Sequence, residues 1–292
     1  MLQHLFTKAL ADLILPRKCI VCGEKLTLEE EHQCTCCRED MPLTRFWQLR
    51  HNRMADKFNE KIQAELERQW AQSDAGGSER YAYATALFFF NEEADYKKIP
   101  YRIKYEGNTH AGRYFGTVLG KHLATSEWFG DIDMIIPVPL HWFRKWKRGY
   151  NQAEVIAGGI SEAIGAPVRT DILKRRRSTK TQINLSIEDK AANVAGAFIA
   201  SLPNPPTTPM NTSASSTSAT RNTENASGRI PDSKCPAETN MTTNGNAVCH
   251  ILLVDDVFTT GSTLMACFTA LREVFPVSVR ISVATLAFVG KA

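Results

Sequence analysis

No apolar run in this sequence approaches the roughly 18 residues that a bilayer-spanning helix needs, which excludes a membrane-spanning chain. The N-terminal stretch Met1 to Pro16 lacks a small-residue cleavage site, and Asp12 interrupts its short apolar part. It therefore reads as a short amphipathic helix rather than a secretory signal. Nothing directs secretion, so the chain is expected in the cytoplasm, where disulfide scaffolds do not persist. Net charge is also scarce. At +4, it is too small to imply nucleic-acid binding by itself. Aromatic residues are missing altogether from Ser201 to Asn246, and cysteines are missing between Arg38 and Lys234.

What is present is the composition of a globular protein: 292 residues, 43% hydrophobic and 23% charged, which leaves no room for collagen-like, coiled-coil or wholly disordered readings. The cysteines are concentrated near the N-terminus. Cys19-x2-Cys22 and Cys34-x2-Cys37 form two paired positions. Four thiolates on two such knuckles suit tetrahedral zinc, and metal closure compensates for the absence of a core in so small a module. Cys36 competes with its neighbours as a ligand, although Cys34 with Cys37 keeps the regular spacing. The site offers no open position and no base, so its role reads as structural.

Ser201 to Asn246 is dominated by Ser, Thr, Asn, Pro and Gly. It cannot bury enough apolar surface to offset the entropy of ordering and is expected to be a disordered insertion. A polar helix is expected from Asn52 to Gln72, closed by Ala75-Gly76-Gly77-Ser78. Beyond it, two periodicities alternate. Tyr81–Phe90, Met134–Val138, His250–Val254 and Arg280–Phe288 read as strands. Ala153, Ile156, Ala157, Ile160 and Ile164 share one helical face, as do Leu264, Cys267, Phe268, Leu271 and Phe275. Buried strands alternating with amphipathic helices predict an α/β fold with a parallel sheet.

The segment richest in chemistry is Ile251 to Thr263, in which four apolar residues lead into Asp255-Asp256 and then Val257-Phe258-Thr259-Thr260-Gly261-Ser262-Thr263. In open α/β sheets, ligands bind beyond the carboxyl ends of the strands. A helix starting there offers unpaired N–H groups and partial positive charge to a phosphate. Thr259, Thr260, Gly261, Ser262 and Thr263 are thus candidate phosphate contacts, and Asp255 and Asp256 face whatever the phosphate carries. Arg144, Lys147 and Arg148, interleaved with His141, Trp142, Phe143 and Trp146, can neutralise a polyanion. The same mixture of cations and rings suits unstacked bases on a phosphate backbone, or simply covers a hydrophobic rim.

Ile251 to Thr263 resembles the phosphoribosyl-pyrophosphate signature of type I phosphoribosyltransferases. Pro137-Val138-Pro139-Leu140, Arg148-Gly149-Tyr150-Asn151-Gln152-Ala153, Lys104-Tyr105-Glu106-Gly107, Arg176, Gln182 and Asn193 to Phe198 resemble segments of the ComF family, bacterial proteins linked to competence and DNA uptake. The N-terminal cysteines resemble that family's zinc ribbon. The resemblance implies a type I phosphoribosyltransferase-like parallel sheet with flanking helices behind a small zinc ribbon. Residues 1–45 would hold the helix and ribbon and 46–80 a helical linker. Residues 81–292 would form the transferase-like domain, interrupted by 201–246.

It further implies pyrophosphate at Arg144, Lys147 and Arg148, and a mobile loop over Arg175–Lys190, where a merely solvated loop fits equally. Asp255 and Asp256 would be catalytic, with Mg²⁺ on the diphosphate. The expected ligand is phosphoribosyl pyrophosphate or a similar phosphorylated ribose, with or without transfer to a nitrogenous acceptor. The alternative is a non-catalytic module that binds single-stranded DNA or competence proteins; a homodimer is left open.

Overall fold

A computed structural model describes residues 12, 15–70, 79–142, 146, 148–176, 196–202, 242–243, 246–247 and 249–290. Arg144, Lys147, most of the expected N-terminal helix, most of the loop at 175–190 and most of 201–246 lie outside the described residues. In chain order, the elements are α1 (Thr35–Glu39), α2 (Arg53–Trp70), β1 (Ala84–Phe90), α3 (Lys98–Tyr105), α4 (Thr109–Ala124), β2 (Met134–Pro137), α5 (Gln152–Ile164), β3 (Leu173–Arg175), β4 (Phe198–Ala200), β5 (Thr242–Thr243), β6 (Asn246–Ala247), β7 (His250–Phe258), α6 (Ser262–Arg272) and β8 (Arg280–Val289).

Four of the strands form a parallel sheet in the order β1-β8-β7-β2, flanked by helices as the alternating periodicities predict. The central pair, β7 and β8, is almost continuously apolar because both of its faces are covered. Side chains alternate between two cores. Ile251 and Leu253 join Met54, Phe58 and Ile62 of α2 and Leu264 and Phe268 of α6. Leu252 and Val254 join Phe115 and Leu119 of α4 and Ile156 and Ile160 of α5. The span expected as a linker thus contributes a layer of the core through α2. Its polar composition hides a narrow apolar stripe at 54, 58 and 62.

On the opposite layer, α4 and α5 approach until their backbones nearly touch. A Cβ on Gly116 would stand 2.3 Å from the carbonyl oxygen of Ile156, and one on Gly159 would stand 2.1 Å from that of Arg113. Asn151 caps α5 by accepting the amide hydrogen of Ala153, and its own amide donates to the carbonyl of Val138, fixing the helix to the end of β2.

Two smaller pairings complete the described residues. β3 and β4 form an antiparallel ribbon, and β5 pairs antiparallel with β6 at the end of the low-complexity stretch. After that stretch the chain is captured firmly. Asp133 Oδ2 accepts the amides of Cys249 and His250 at 2.7 and 2.8 Å. The His250 ring lies between Asp131 (2.6 Å) and Ser282 (2.8 Å). This Ser-His-Asp arrangement anchors the start of β7. Ser282 is fully buried, so no substrate reaches it. Among the described residues, no helix is long and apolar enough to cross a membrane.

Candidate functional site

β7 does not end at Val254. Its ladder with β8 continues through Asp255, which is opposite Thr285, to Phe258. Two adjacent acids within a strand must point to opposite faces, and these do. Asp256 turns toward α3, where its Oδ2 lies 3.5 Å from Lys104 Nζ. Asp255 turns toward α6, close enough that its charge helps burial raise the Cys267 thiol well above its ordinary range. Burial, then the neighbouring charge of Asp256, pushes the Asp255 carboxyl up to about 8, against the pull of the Asp256 amide, Lys104 and Arg175. Its Oδ1 accepts that amide at 2.9 Å.

The turn after the strand is shaped by Gly261, whose φ of 74° lies in the left-handed region that favours glycine. A Cβ there would also meet the Phe258 ring at 2.7 Å. Ser262 opens α6, and its hydroxyl lies 3.0 Å from that of Thr260. The first hydrogen bond that closes this helix runs from Met265 to the carbonyl of Gly261. A cleft of about 890 Å³ opens between α2 and α6. It takes in Thr259, Thr260 and Ser262 with Lys57 and Lys61 of α2, but neither aspartate. The turn therefore separates a hydroxyl- and lysine-lined hollow from the acidic pair.

Arg148 is the one member of the expected pyrophosphate group within the described residues. Its guanidinium lies 5.4 Å over the Tyr105 ring, and the Tyr150 hydroxyl donates to the carbonyl of Ile103. The turn after β2 is thus fastened to α3. Tyr105 packs ring to ring with Tyr101 at 4.9 Å, and the two are 62% and 56% exposed; Trp142, against His141, is 70% exposed. The role of α3 was invisible in the sequence. Lys104 was legible only within a family-like tetrapeptide, because its contact with Asp256 is long-range. Arg175, whose charge reaches Asp255, stacks over Phe198 at 5.1 Å in the ribbon that periodicity did not reveal.

The cysteine module gathers as its spacing predicts. The thiols of Cys19, Cys22, Cys34 and Cys37 all lie within 4.8 Å of one another. The Cys22 and Cys34 sulfurs are 3.7 Å apart, matching the roughly 3.8 Å edge of a tetrahedron with zinc–sulfur bonds of about 2.3 Å. The amide of Cys34 points to the Cys19 sulfur and that of Cys37 to the Cys34 sulfur. Burial opposes ionisation of Cys19, but amide donors from Cys34, Cys22 and Val21 outweigh it and bring the thiol down to about 7. Cys36 stays exposed and outside the group. The donor set fits zinc.

The resemblance puts Mg²⁺ on the diphosphate of a bound ligand, where such an ion takes one or two protein carboxylates beside phosphate oxygens and water; here the two carboxylates diverge, and Asp256 faces Lys104. Among the described residues, the four thiols are the group of metal-binding side chains dense enough to hold an ion.

Comparison with known proteins adds lineage to this geometry. The chain is 44% identical to competence protein F of Haemophilus influenzae over 66 residues, which are 23% of this chain and 29% of that protein. It is 34% identical to the DNA utilization protein YhgH of Salmonella typhi over 71 residues, 31% of that protein. With YhgH of Escherichia coli O157:H7, the identity is 28% over 132 residues, 45% of this chain and 40% of the relative. The ComF resemblance holds. Each of these matches spans less than half of the relative's length. No family-wide sequence profile matches the chain.

Proposed function

We propose that this chain binds a phosphorylated ribose, with phosphoribosyl pyrophosphate as the leading candidate, at the junction of β7 and α6. We further propose that it serves competence or DNA utilization, as the names of its relatives state for those proteins. One observation carries the ligand reading. The strand bearing Asp255 and Asp256 runs straight into the Thr259–Ser262 turn and the amino end of α6, beside a cleft large enough for a nucleotide-sized ligand.

In this reading, the turn hydroxyls and the Ser262 and Thr263 amides hold the phosphate. Asp256 accepts from a ribose hydroxyl, and Asp255, buried on the other face of the strand, shapes the strand end behind it. If transfer follows, the bond from the anomeric carbon to pyrophosphate breaks and its electrons leave with the pyrophosphate. A nitrogen of the acceptor then bonds to that carbon, and its proton passes to the departing pyrophosphate or to water. The Asp256 charge stabilises the positive charge that grows on the ribose. Cys19, Cys22, Cys34 and Cys37 hold a structural zinc.

A second reading rests on the exposed rings of Tyr101 and Tyr105, with Arg148 over the latter, and on the exposed Trp142, rings suited to stacking unpaired bases. One experiment separates the two readings. Calorimetric titration of the full chain with phosphoribosyl pyrophosphate should show binding, and Asp255→Ala with Asp256→Ala should abolish it while the melting temperature persists. Equal affinity in the double variant would overturn the ligand reading. Salt-sensitive binding of a thymidine oligonucleotide, indifferent to those two substitutions, would favour the second.

A further inference from the structure

We propose that Lys104 is a ligand-binding residue of this site, its ammonium facing the diphosphate end of a phosphorylated ribose; this rests on the reading above. Such a diphosphate would approach the carboxyl ends of β7 and β2, where it meets the Asp256 carboxylate. Unrelieved, that encounter is repulsive. Among the cations of the 97–106 segment, the others are spent locally. Lys97 donates to the carbonyl of Glu92, Lys98 pairs with Asp95 at 2.7 Å, and Arg102 pairs with Glu106 at 3.7 Å. Lys104 instead turns inward to the strand end and lies 3.5 Å from Asp256.

That separation is longer than a hydrogen bond, and the Lys104 side chain is 35% exposed. An ammonium group has three donors, so it can keep facing Asp256 while presenting others outward. α3 is held where this works. The Tyr150 hydroxyl binds the carbonyl of Ile103 on one side of Lys104, and Arg148 stacks on Tyr105 on the other. Lys104 and Arg148 are thereby brought to the same end of the sheet from elements distant in sequence.

A partly exposed ion pair contributes little to folding, so Lys104→Ala should remain folded, and its thermal midpoint checks this. The test is calorimetry on the full chain with inorganic pyrophosphate and with phosphoribosyl pyrophosphate. The variants are Lys104→Ala, Lys104→Arg, and Arg102→Ala as a charge control on the same helix. Lys104→Ala should weaken pyrophosphate about tenfold or more, Lys104→Arg should restore part of the affinity, and Arg102→Ala should change it less than about twofold. Asp256→Asn should weaken phosphoribosyl pyrophosphate but not pyrophosphate, because only the former has a ribose. Wild-type binding that survives Lys104→Ala intact overturns the assignment alone. A wild-type chain that binds neither compound overturns the site reading and the assignment with it.

Discussion

Adjacent acids on a strand behave as two different reagents when the strand has two covered faces. Asp256 keeps a cation beside it, while Asp255 is driven toward its neutral form by burial and by its neighbour's charge. The consequence for stability has a definite sign. Unfolded, the Asp255 carboxyl titrates near its ordinary value of about 4; folded, it keeps its proton up to about 8. Between those limits the native state binds more protons than the unfolded state, so stability falls as pH rises through the window. Asp255→Asn removes that dependence. Urea midpoints should therefore coincide for wild type and variant near the bottom of the window, with the variant the more resistant above its top. Parallel pH profiles would show that Asp255 ionises normally in the fold.

Helix packing shows where sequence patterning is informative and where it is silent. The periodicity of Ala153, Ile156, Ala157 and Ile160 announces α5 and its buried face, and the apolar runs announce β2, β7 and β8. The four-cysteine group was legible too, because short-range spacing dictates it. Other features depend on what lies opposite. β7 runs on through two carboxylates because β8 continues to pair with it, against the low strand propensity of Asp. α2 reads as a polar helix of a helical linker because only one stripe of it is apolar.

The closeness of α4 to α5 was likewise hidden, since a glycine in a helix reads only as a weakness of about 1 kcal/mol. Neighbouring glycines of α5 separate these meanings. At Gly158 the nearest atom to a new Cβ is an Arg113 side-chain nitrogen at 4.0 Å, whereas at Gly159 it is the Arg113 carbonyl oxygen at 2.1 Å. Gly158→Ala should stabilise the chain by about 0.5–1 kcal/mol through helix propensity. Gly159→Ala should destabilise it by about 3 kcal/mol, because backbone must move. Denaturant unfolding of the two variants checks the opposite signs; equal effects would mean that the helices do not meet there.

The cysteine module is continuous with the rest of the protein. Cys19, Ile20, Val21 and Leu26 are buried in the same cluster as Phe88, Ile99, Ile103 and Phe115, under α3 and α4. Lys98 donates to the carbonyl of Val21 and the Tyr96 hydroxyl to that of Cys37, each at 2.8 Å. The segment that bears Lys104 therefore rests on the ribbon, so a metal held by the four thiols would stiffen that segment too. Zinc binding to such modules contributes directly to folding free energy. Because the apolar contacts are shared, its loss should be felt beyond the ribbon. The zinc-loaded chain should unfold in a single calorimetric transition. Chelation, or Cys22→Ser with zinc content measured by mass spectrometry, should lower that whole transition by about 10 °C or more, as expected when several kcal/mol are lost from a chain this large. It should also weaken pyrophosphate binding, since α3 loses its support. A separate low-temperature transition that leaves the main one and the ligand affinity in place would instead show that the ribbon folds as an independent appendage.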